Sequence, residues 1–299
     1  MKVSICCETY NHEKYVQTAL KSFLEQECDF DYEIIVNDDC STDRTIEKIK
    51  EIQQTDPSGK IKIESSKKNE GMYVNFTNAL NRCTGEYIAF CEGDDYWIDK
   101  HKLQKQVNYM DAHPECSMTF HDVFIFDEKN NKTTEYKFDK TIPLNFDSVA
   151  GKAYGHLSSI MVRNFFRKLE AGWEKKYKPT HAPLHYLSLM HGEIHHIDGI
   201  MSVYRHSGDG VWSRLTDEER YKWNIKSCKE HLNQYDSRFY KGFMTTIINN
   251  EYALSFCYLE KKNIFLFLKY QYLAIANTIK IKGWRQGLNQ LKHTFKKLK

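Results

Sequence analysis

Three carboxylates fall within four residues in Glu92-Gly93-Asp94-Asp95. They follow Tyr87-Ile88-Ala89-Phe90-Cys91, an apolar run with the length and composition of a short buried strand. Like charges this close repel, so the cluster is costly unless solvent or a cation offsets it. Gly93 has no side chain and is expected to let the backbone turn sharply, so that Glu92 and Asp94 converge. Mg²⁺ and Mn²⁺ take carboxylate oxygens and complete their shells with water and phosphate oxygens. Holding a divalent cation against a diphosphate is therefore the chemistry these residues could do. A solvated acidic turn after a strand is the plainer alternative, and the surrounding elements must decide between the two.

Those elements alternate. Residues 3–7 read as a strand, followed by the polar loop 8–13 and a helical pattern over 15–26 with Val16, Ala19, Leu20 and Phe23 on one face. A second strand over 33–36 ends at Asn37-Asp38-Asp39. Ser41 or Thr42 is placed to cap the next helix, whose apolar positions are Ile46, Ile49 and Ile52. A third strand at 60–64 and a helix at 75–82 lead to the strand before Glu92. This alternation predicts an α/β fold with a mostly parallel sheet flanked by helices. Ligands of such sheets bind at the carboxyl ends of the strands, where 8–11, 37–39 and 92–95 would meet. Further strands are expected at 117–126, 157–162 and 197–204, with a helix starting near Pro183. From Thr216 the pattern is helical to the end. The expected organisation is a catalytic domain over 1–214 and a helical region over 215–299.

Composition fits a globular protein, with 41% hydrophobic and 28% charged residues in 299. No uncharged apolar stretch has the length of a membrane span, and the N-terminus enters a strand pattern without a signal peptide's apolar core. Nine cysteines, an odd number without CxxC spacing, fit a reducing cytoplasm. The net charge of +3 conceals an asymmetry: ten Lys or Arg and no Asp or Glu follow Glu260, leaving 33 basic against 40 acidic side chains before it. A basic tail on an acidic body suggests an anionic surface as partner; no nucleic-acid partner is expected. There is neither a GxGxxG nor a GxxxxGK[ST] loop, so a nucleotide diphosphate would need a metal, which Glu92 and Asp94 could hold.

Val3-Ser4-Ile5-Cys6-Cys7-Glu8-Thr9-Tyr10-Asn11, then Glu33-Ile34-Ile35-Val36-Asn37-Asp38-Asp39-Cys40-Ser41-Thr42-Asp43, then Gly85-Glu86-Tyr87-Ile88-Ala89-Phe90 leading into Glu92-Gly93-Asp94-Asp95, resemble family-two glycosyltransferases with a GT-A fold. The likeness covers 1–115 and continues more weakly through Ser158-Ser159-Ile160-Met161 and Met201-Ser202-Val203-Tyr204-Arg205-His206 to Trp212. It implies an inverting, metal-dependent enzyme, a hexosyl- or N-acetylhexosaminyltransferase. Its donor would be a nucleotide sugar, UDP-linked in this reading, and its acceptor a glycan or lipid-linked precursor at the cytoplasmic membrane face. Thr9, Tyr10 and Asn11 match the loop that contacts the nucleoside, Asp38 and Asp39 the pair that binds uracil and ribose, and Asn69 and Gly71 a segment of the same pocket. Glu92 and Asp94 match the DxD metal motif, with Glu in place of the first Asp, and Asp95 is counted with the donor-binding residues. His206 lies where related enzymes place a third contact to Mn²⁺ or Mg²⁺.

The relatives' general base is an Asp in a Gly-Asp-Trp-Pro-Leu-like context; here Thr180-His181-Ala182-Pro183-Leu184 puts His181 at that position. A neutral imidazole suits a base near neutral pH. Asp122, Asp198 and Asp209 are the nearest acidic substitutes. A protein of this fold that binds nucleotide sugars without turnover is the alternative the missing Asp keeps open. His181 and His185 have i,i+4 spacing but no HExxH glutamate and no third ligand, so a zinc site is not expected. Tyr96 and Trp97 suit either stacking on a sugar or packing beneath the acidic loop. In 283–299, Trp284, Leu288, Leu291, Phe295 and Leu298 form an apolar stripe among Arg285, Lys292, Lys296, Lys297 and Lys299. This suits an interfacial helix on anionic lipid, peripheral at the inner membrane face, or a helix docked on the protein with a solvated basic side.

Overall fold

The computed structural model describes residues 1–208 and 214–297; Asp209, Trp212, Leu298, Lys299 and the side chain of Lys297 lie outside the described residues. The chain runs β1 (Val3–Thr9), α1 (Val16–Leu24), β2 (Tyr32–Asp38), α2 (Thr45–Thr55), β3 (Ile61–Ser65), α3 (Met72–Arg82), β4 (Tyr87–Phe90), β5 (Tyr96–Trp97), α4 (Lys102–Ala112), β6 (Cys116–Asp127) and β7 (Lys132–Tyr136). It continues through α5 (Phe146–Val149), β8 (Met161–Arg163), α6 (Trp173–Tyr177), α7 (His181–His191) and β9 (Glu193–His206), then α8 (Asp217–His231), α9 (Tyr240–Glu260), α10 (Ile264–Lys282) and α11 (Trp284–Lys297).

The described strands belong to one sheet, ordered β3-β2-β1-β4-β8-β6-β9-β5, with β7 pairing β6 off this path. β1 and β2 are buried along their whole length, which is why their centres, Ile5-Cys6-Cys7 and Ile34-Ile35-Val36, read as apolar runs rather than alternating ones. Pairing is parallel through β3, β2, β1 and β4, as expected. Beyond β4 the sheet is mixed: β8 runs antiparallel to β4 and β6, and β5 antiparallel to β9, while β6 and β9 pair in parallel. The half-sheet built by βα alternation is thus parallel, and the half beyond β4 mixes both directions. α1 lays Val16, Ala19, Leu20 and Phe23 on the core. Neither Ser41 nor Thr42 caps α2; the Ser41 hydroxyl goes to Asp38 instead, and Asp43 accepts the Thr45 N–H.

The chain divides into two compact units, Met1–Leu144 with Ala153–Gly208, and Asn145–Lys152 with Asp209–Lys299. The segment Asn145–Lys152, which the expected boundary at 214/215 assigned to the first domain, lies with the helices. There Phe146 stacks edge-on against Phe239 at 4.8 Å and Thr246 donates to the Ala150 carbonyl at 2.8 Å. Thr216 and Glu219 form a reciprocal capping box at the start of α8. Among the described residues no helix is long and apolar enough to cross a membrane.

Candidate active site

β4 delivers the acidic loop to the carboxyl ends of β1 and β2. Beyond the strand, Cys91 N–H still donates to Cys6 O at 3.2 Å and Gly93 N–H to Glu8 O at 3.0 Å, while Asp39 N–H reaches Thr9 O at 3.0 Å. The three polar strand ends therefore meet at one edge of the sheet. Gly93 is required there for a different reason than a sharp turn, since its φ is not positive. A Cβ at this position would lie 2.5 Å from Thr9 Cγ2 and 3.0 Å from His12 Nδ1. Thr9 is buried and tied to Asp38 by its hydroxyl at 3.0 Å, so it cannot swing aside freely. Gly93→Ala is accordingly expected to cost about 1–3 kcal/mol of stability by overpacking. Urea unfolding measures this, and a loss below about 0.5 kcal/mol would mean that Thr9 yields.

Five carboxylates converge on the loop: Glu8, Asp39, Glu92, Asp94 and Asp95. Burial, reinforced by Asp94, pushes Glu92 up to about 8. Glu8 is raised well above the carboxylate range by burial and then by Glu92, Asp94 and Asp39, and Asp95 by burial and then by Asp94 and Glu92. Glu8 Oε2 and Asp95 Oδ2 are buried with no hydrogen-bond partner within the protein. His12 Nε2 stands 3.8 Å from Asp94 Oδ2. Orphaned hard oxygens in a repelling cluster are the donor set a divalent cation satisfies, so the residues fit Mn²⁺ or Mg²⁺.

The cationic side chain that meets this loop is Arg205, which sequence reasoning passed over in favour of its neighbour. The Arg205 backbone N–H donates to Asp95 Oδ1 at 2.8 Å and its side-chain Nε to Asp94 O at 2.9 Å. Its guanidinium covers the rings of Tyr15 and Tyr96 at 4.7 and 5.3 Å. His206 is one residue further along β9, pairs with Asp127 in the ladder and accepts the Glu128 N–H on its carbonyl. Alternation along the strand separates the two side chains. The structure thus brings Glu92, Asp94 and Asp95 together without gathering Glu92, Asp94 and His206 into a ligand triad.

Among the described residues, the group of three or more His, Cys, Asp or Glu ligand atoms that does lie within 4.8 Å of one another is Asp122, His196 and Asp198. Asp122 there already accepts the Phe138 N–H and His196 Nε2, and Asp198 faces Lys140 at 2.5 Å. Trp97 is core: it packs on Phe23 at 4.7 Å and its indole N–H donates to Ser158 O at 2.9 Å.

The expected nucleoside residues interlock the ends of β1 and β2. Asp38 accepts four hydrogen bonds, from Thr9 Oγ1, Ser41 N, Ser41 Oγ and Ser65 Oγ. Its lone pairs are spent inside the protein. Asp39 accepts one bond on each oxygen, from Glu70 N–H at 2.7 Å and Gly71 N–H at 2.9 Å, and retains acceptor capacity. Those two bonds pin the 66–71 loop, with Asn69 exposed, ahead of α3. Asn11 adopts a left-handed φ of 56° and accepts Thr42 N–H at 2.8 Å, while Tyr10 is 42% exposed.

His181 opens α7 after the N-cap Thr180. Its Nε2 is buried without a hydrogen-bond partner, and burial, then His185 and His156, pull its pKa well below the usual imidazole value. The His156 ring stacks on Tyr204 at 4.2 Å. Tyr204 is pushed up to about 12 by burial and by the charges of Asp95, Glu92 and Asp94. The other histidines of the segment are engaged separately: His185 with Tyr154 and His181 backbone atoms, His191 with Leu187 O, His195 with Tyr109 and Glu193.

The model of the family named Glycosyl transferase family 2 matches residues 4–174, more than half of the chain. This protein belongs to glycosyltransferase family 2. Among the proteins it resembles, an uncharacterized protein of Mycobacterium tuberculosis is 32% identical over 233 residues, covering 75% of this chain and 64% of that protein. The chain thus spans under two thirds of that relative's length. The poly(ribitol-phosphate) β-N-acetylglucosaminyltransferase TarS of Staphylococcus aureus is 34% identical over 116 residues, 38% of this chain and 19% of TarS. The crystal structure of TarS 1–349 with UDP-GlcNAc superposes with a TM-score of 0.61 at 18% identity, covering 95% of this chain and 92% of that one. The mannosyltransferase PcManGT of Pyrobaculum calidifontis, solved with GDP-Man and Mn²⁺, gives 0.58 at 14% identity over 100% and 81% of the two chains. At these identities the structural likenesses speak for the fold alone, which is GT-A.

Proposed function

We propose that this family-two glycosyltransferase moves a hexosyl or N-acetylhexosaminyl group from a UDP-linked donor, with inversion, to a hydroxyl of a glycan or lipid-linked acceptor. The observation that carries the reading is the convergence of Glu8, Glu92, Asp94 and Asp95 at the carboxyl ends of β1 and β4, mutually repelling, with Glu8 and Asp95 buried and Glu92 and Asp94 half-buried. The acceptor oxygen forms the new bond to the anomeric carbon while the bond to the diphosphate breaks and its electron pair leaves with the phosphate. The acceptor proton passes to a base, for which His181 is the candidate. Glu92 and Asp94 would hold Mn²⁺ or Mg²⁺, which supplies positive charge to a departing diphosphate. Asp39 keeps acceptor capacity for the nucleoside, and Arg205 fixes the loop from behind through the Asp94 carbonyl and the Asp95 carboxylate.

Thermal unfolding with a panel of nucleoside diphosphates and nucleotide sugars, with and without Mn²⁺, tests this at pH 6 and pH 8. Ligands that bind the native state raise its melting temperature. A carboxyl held near 8 when folded and near 4.5 when unfolded keeps its proton in the folded protein across that window, so metal-free stability falls as pH rises through it. Binding of the cation requires the carboxylate, so the stabilisation by Mn²⁺ is expected to be larger at pH 8 than at pH 6. Absence of any nucleotide-dependent shift in the presence of metal would overturn the reading.

A further inference from the structure

The last two helices are packed inside out. α11 docks on its neighbours through small and polar residues: Gly287, where a Cβ would lie 2.4 Å from Ile279 Cγ1, and Gln290 and Thr294, which bond to Thr278 and Gln271. Gln271 continues inward to Ser255 at 2.7 Å, and Asn277 to Glu251 at 2.9 Å. The apolar stripe faces the other way. Trp284 is 72% exposed, Leu288 53%, Leu291 36% and Phe295 60%. α10 does so in part, burying Gln271 and Thr278 along with Phe267 and Ala274 while Phe265 is 77%, Leu268 59% and Tyr272 71% exposed. The contacts of Gly287 with Ile279 and of Thr294 with Gln271 make the two helices antiparallel, so Phe295 lies at the level of Tyr272.

A helix of a soluble protein turns its apolar stripe to the core. Here the hydrogen-bonded polar side chains occupy that position, and a large apolar area is left outside, which marks an interaction surface. Its charge identifies what covers it. Lys269, Lys280, Lys282, Arg285, Lys292 and Lys296 are exposed around the stripe, and no Asp or Glu follows Glu260. A second copy of the chain would bring this patch against itself, since a two-fold interface apposes identical surfaces, and would stack the same positive charges. An anionic phospholipid surface neutralises them and takes the aromatic and aliphatic side chains into its headgroup boundary.

We propose that the outer face of α10 and α11 lies on an anionic phospholipid bilayer without crossing it. The inference is independent of the glycosyltransferase reading. Co-sedimentation of the full chain with vesicles tests it, comparing phosphatidylcholine alone with phosphatidylcholine containing phosphatidylglycerol. Binding is expected to the anionic vesicles and to weaken steeply between 0.1 and 0.5 M salt. Lys280→Gln, Lys282→Gln, Arg285→Gln and Lys292→Gln combined should lower the partition coefficient on the order of 10³-fold, since each basic residue near such a surface contributes about a fivefold factor. Phe265→Ser, Leu268→Ser, Trp284→Ser and Phe295→Ser combined should abolish binding while leaving the circular dichroism spectrum unchanged, because these side chains make no core. Failure of the wild-type chain to sediment with anionic vesicles would overturn the proposal. So would a concentration-dependent dimer that the serine variant abolishes and anionic vesicles do not displace.

Discussion

Asp94→Asn is expected to lose Mn²⁺-dependent nucleoside-diphosphate binding by at least about 10²-fold while its metal-free form melts no lower than wild type. The first half follows from taking a charged oxygen from the donor set at nearly constant volume; loss of even an outer partner of a metal ligand commonly costs 10–100-fold. The second half is particular to this site. Asp94 is among the causes that hold Glu8, Glu92 and Asp95 above the carboxylate range, so removing its charge relieves repulsion in the metal-free protein. Its side chain is 29% exposed, and the substitution opens no cavity. Calorimetric titration of UDP with and without Mn²⁺, paired with thermal unfolding of the metal-free variant, separates the two halves. Unchanged metal dependence would remove Asp94 from the ligand set, and a lowered melting temperature would mean that its contact with His12 outweighs the repulsion.

Local chemistry made the first half of the sheet legible. The polar ends after Cys7, Val36 and Phe90 announced where β1, β2 and β4 stop, and parallel pairing puts such ends side by side whatever the intervening helices do. The glycosyltransferase motifs were legible for the same reason, being short and attached to those ends. Long-range partnerships were not. Nothing in the order Arg205-His206 says which side chain turns toward the acidic loop; that depends on β9 meeting β5 with Val203 opposite Tyr96, 107 positions away in the chain. Glu8 and His12 flank the motif that was recognised, and only folding shows that Glu8 Oε2 and His12 Nδ1 are buried without partners. Asp38 and Asp39 look alike as a pair, yet one is saturated by Ser and Thr donors and the other is not. The sequence left α11 open between an interfacial and a docked helix because an apolar stripe at helical spacing is normally the buried one, and its docking side of Gly287, Gln290 and Thr294 reads as the solvent side.

His181→Ala should lower turnover by roughly 10²-fold or more with donor binding little changed, the usual worth of a general base. Burial holds its imidazole neutral well below the ordinary value, so the proton-accepting form is the one present across pH 6–8, and its buried, unpartnered Nε2 is the atom that would take the proton once an acceptor hydroxyl reaches it. The same depression limits it as a ground-state base, so the acceptor must be held close for the transfer to gain. His181→Asp distinguishes this role from packing. A carboxylate at the first position of α7 is favoured by the helix N-terminus, which partly offsets the burial that would keep it protonated. The Asp variant is therefore expected to restore much of the rate lost in the alanine variant, and to shift the pH dependence because a different group now titrates. Steady-state kinetics on both variants with a nucleotide sugar and an accepting glycan decides the matter. Full activity in His181→Ala would place the base elsewhere. A wild-type chain that binds nucleotide sugar but neither transfers nor hydrolyses it would mean that replacing the relatives' Asp by His181 has left a binding protein with the GT-A fold.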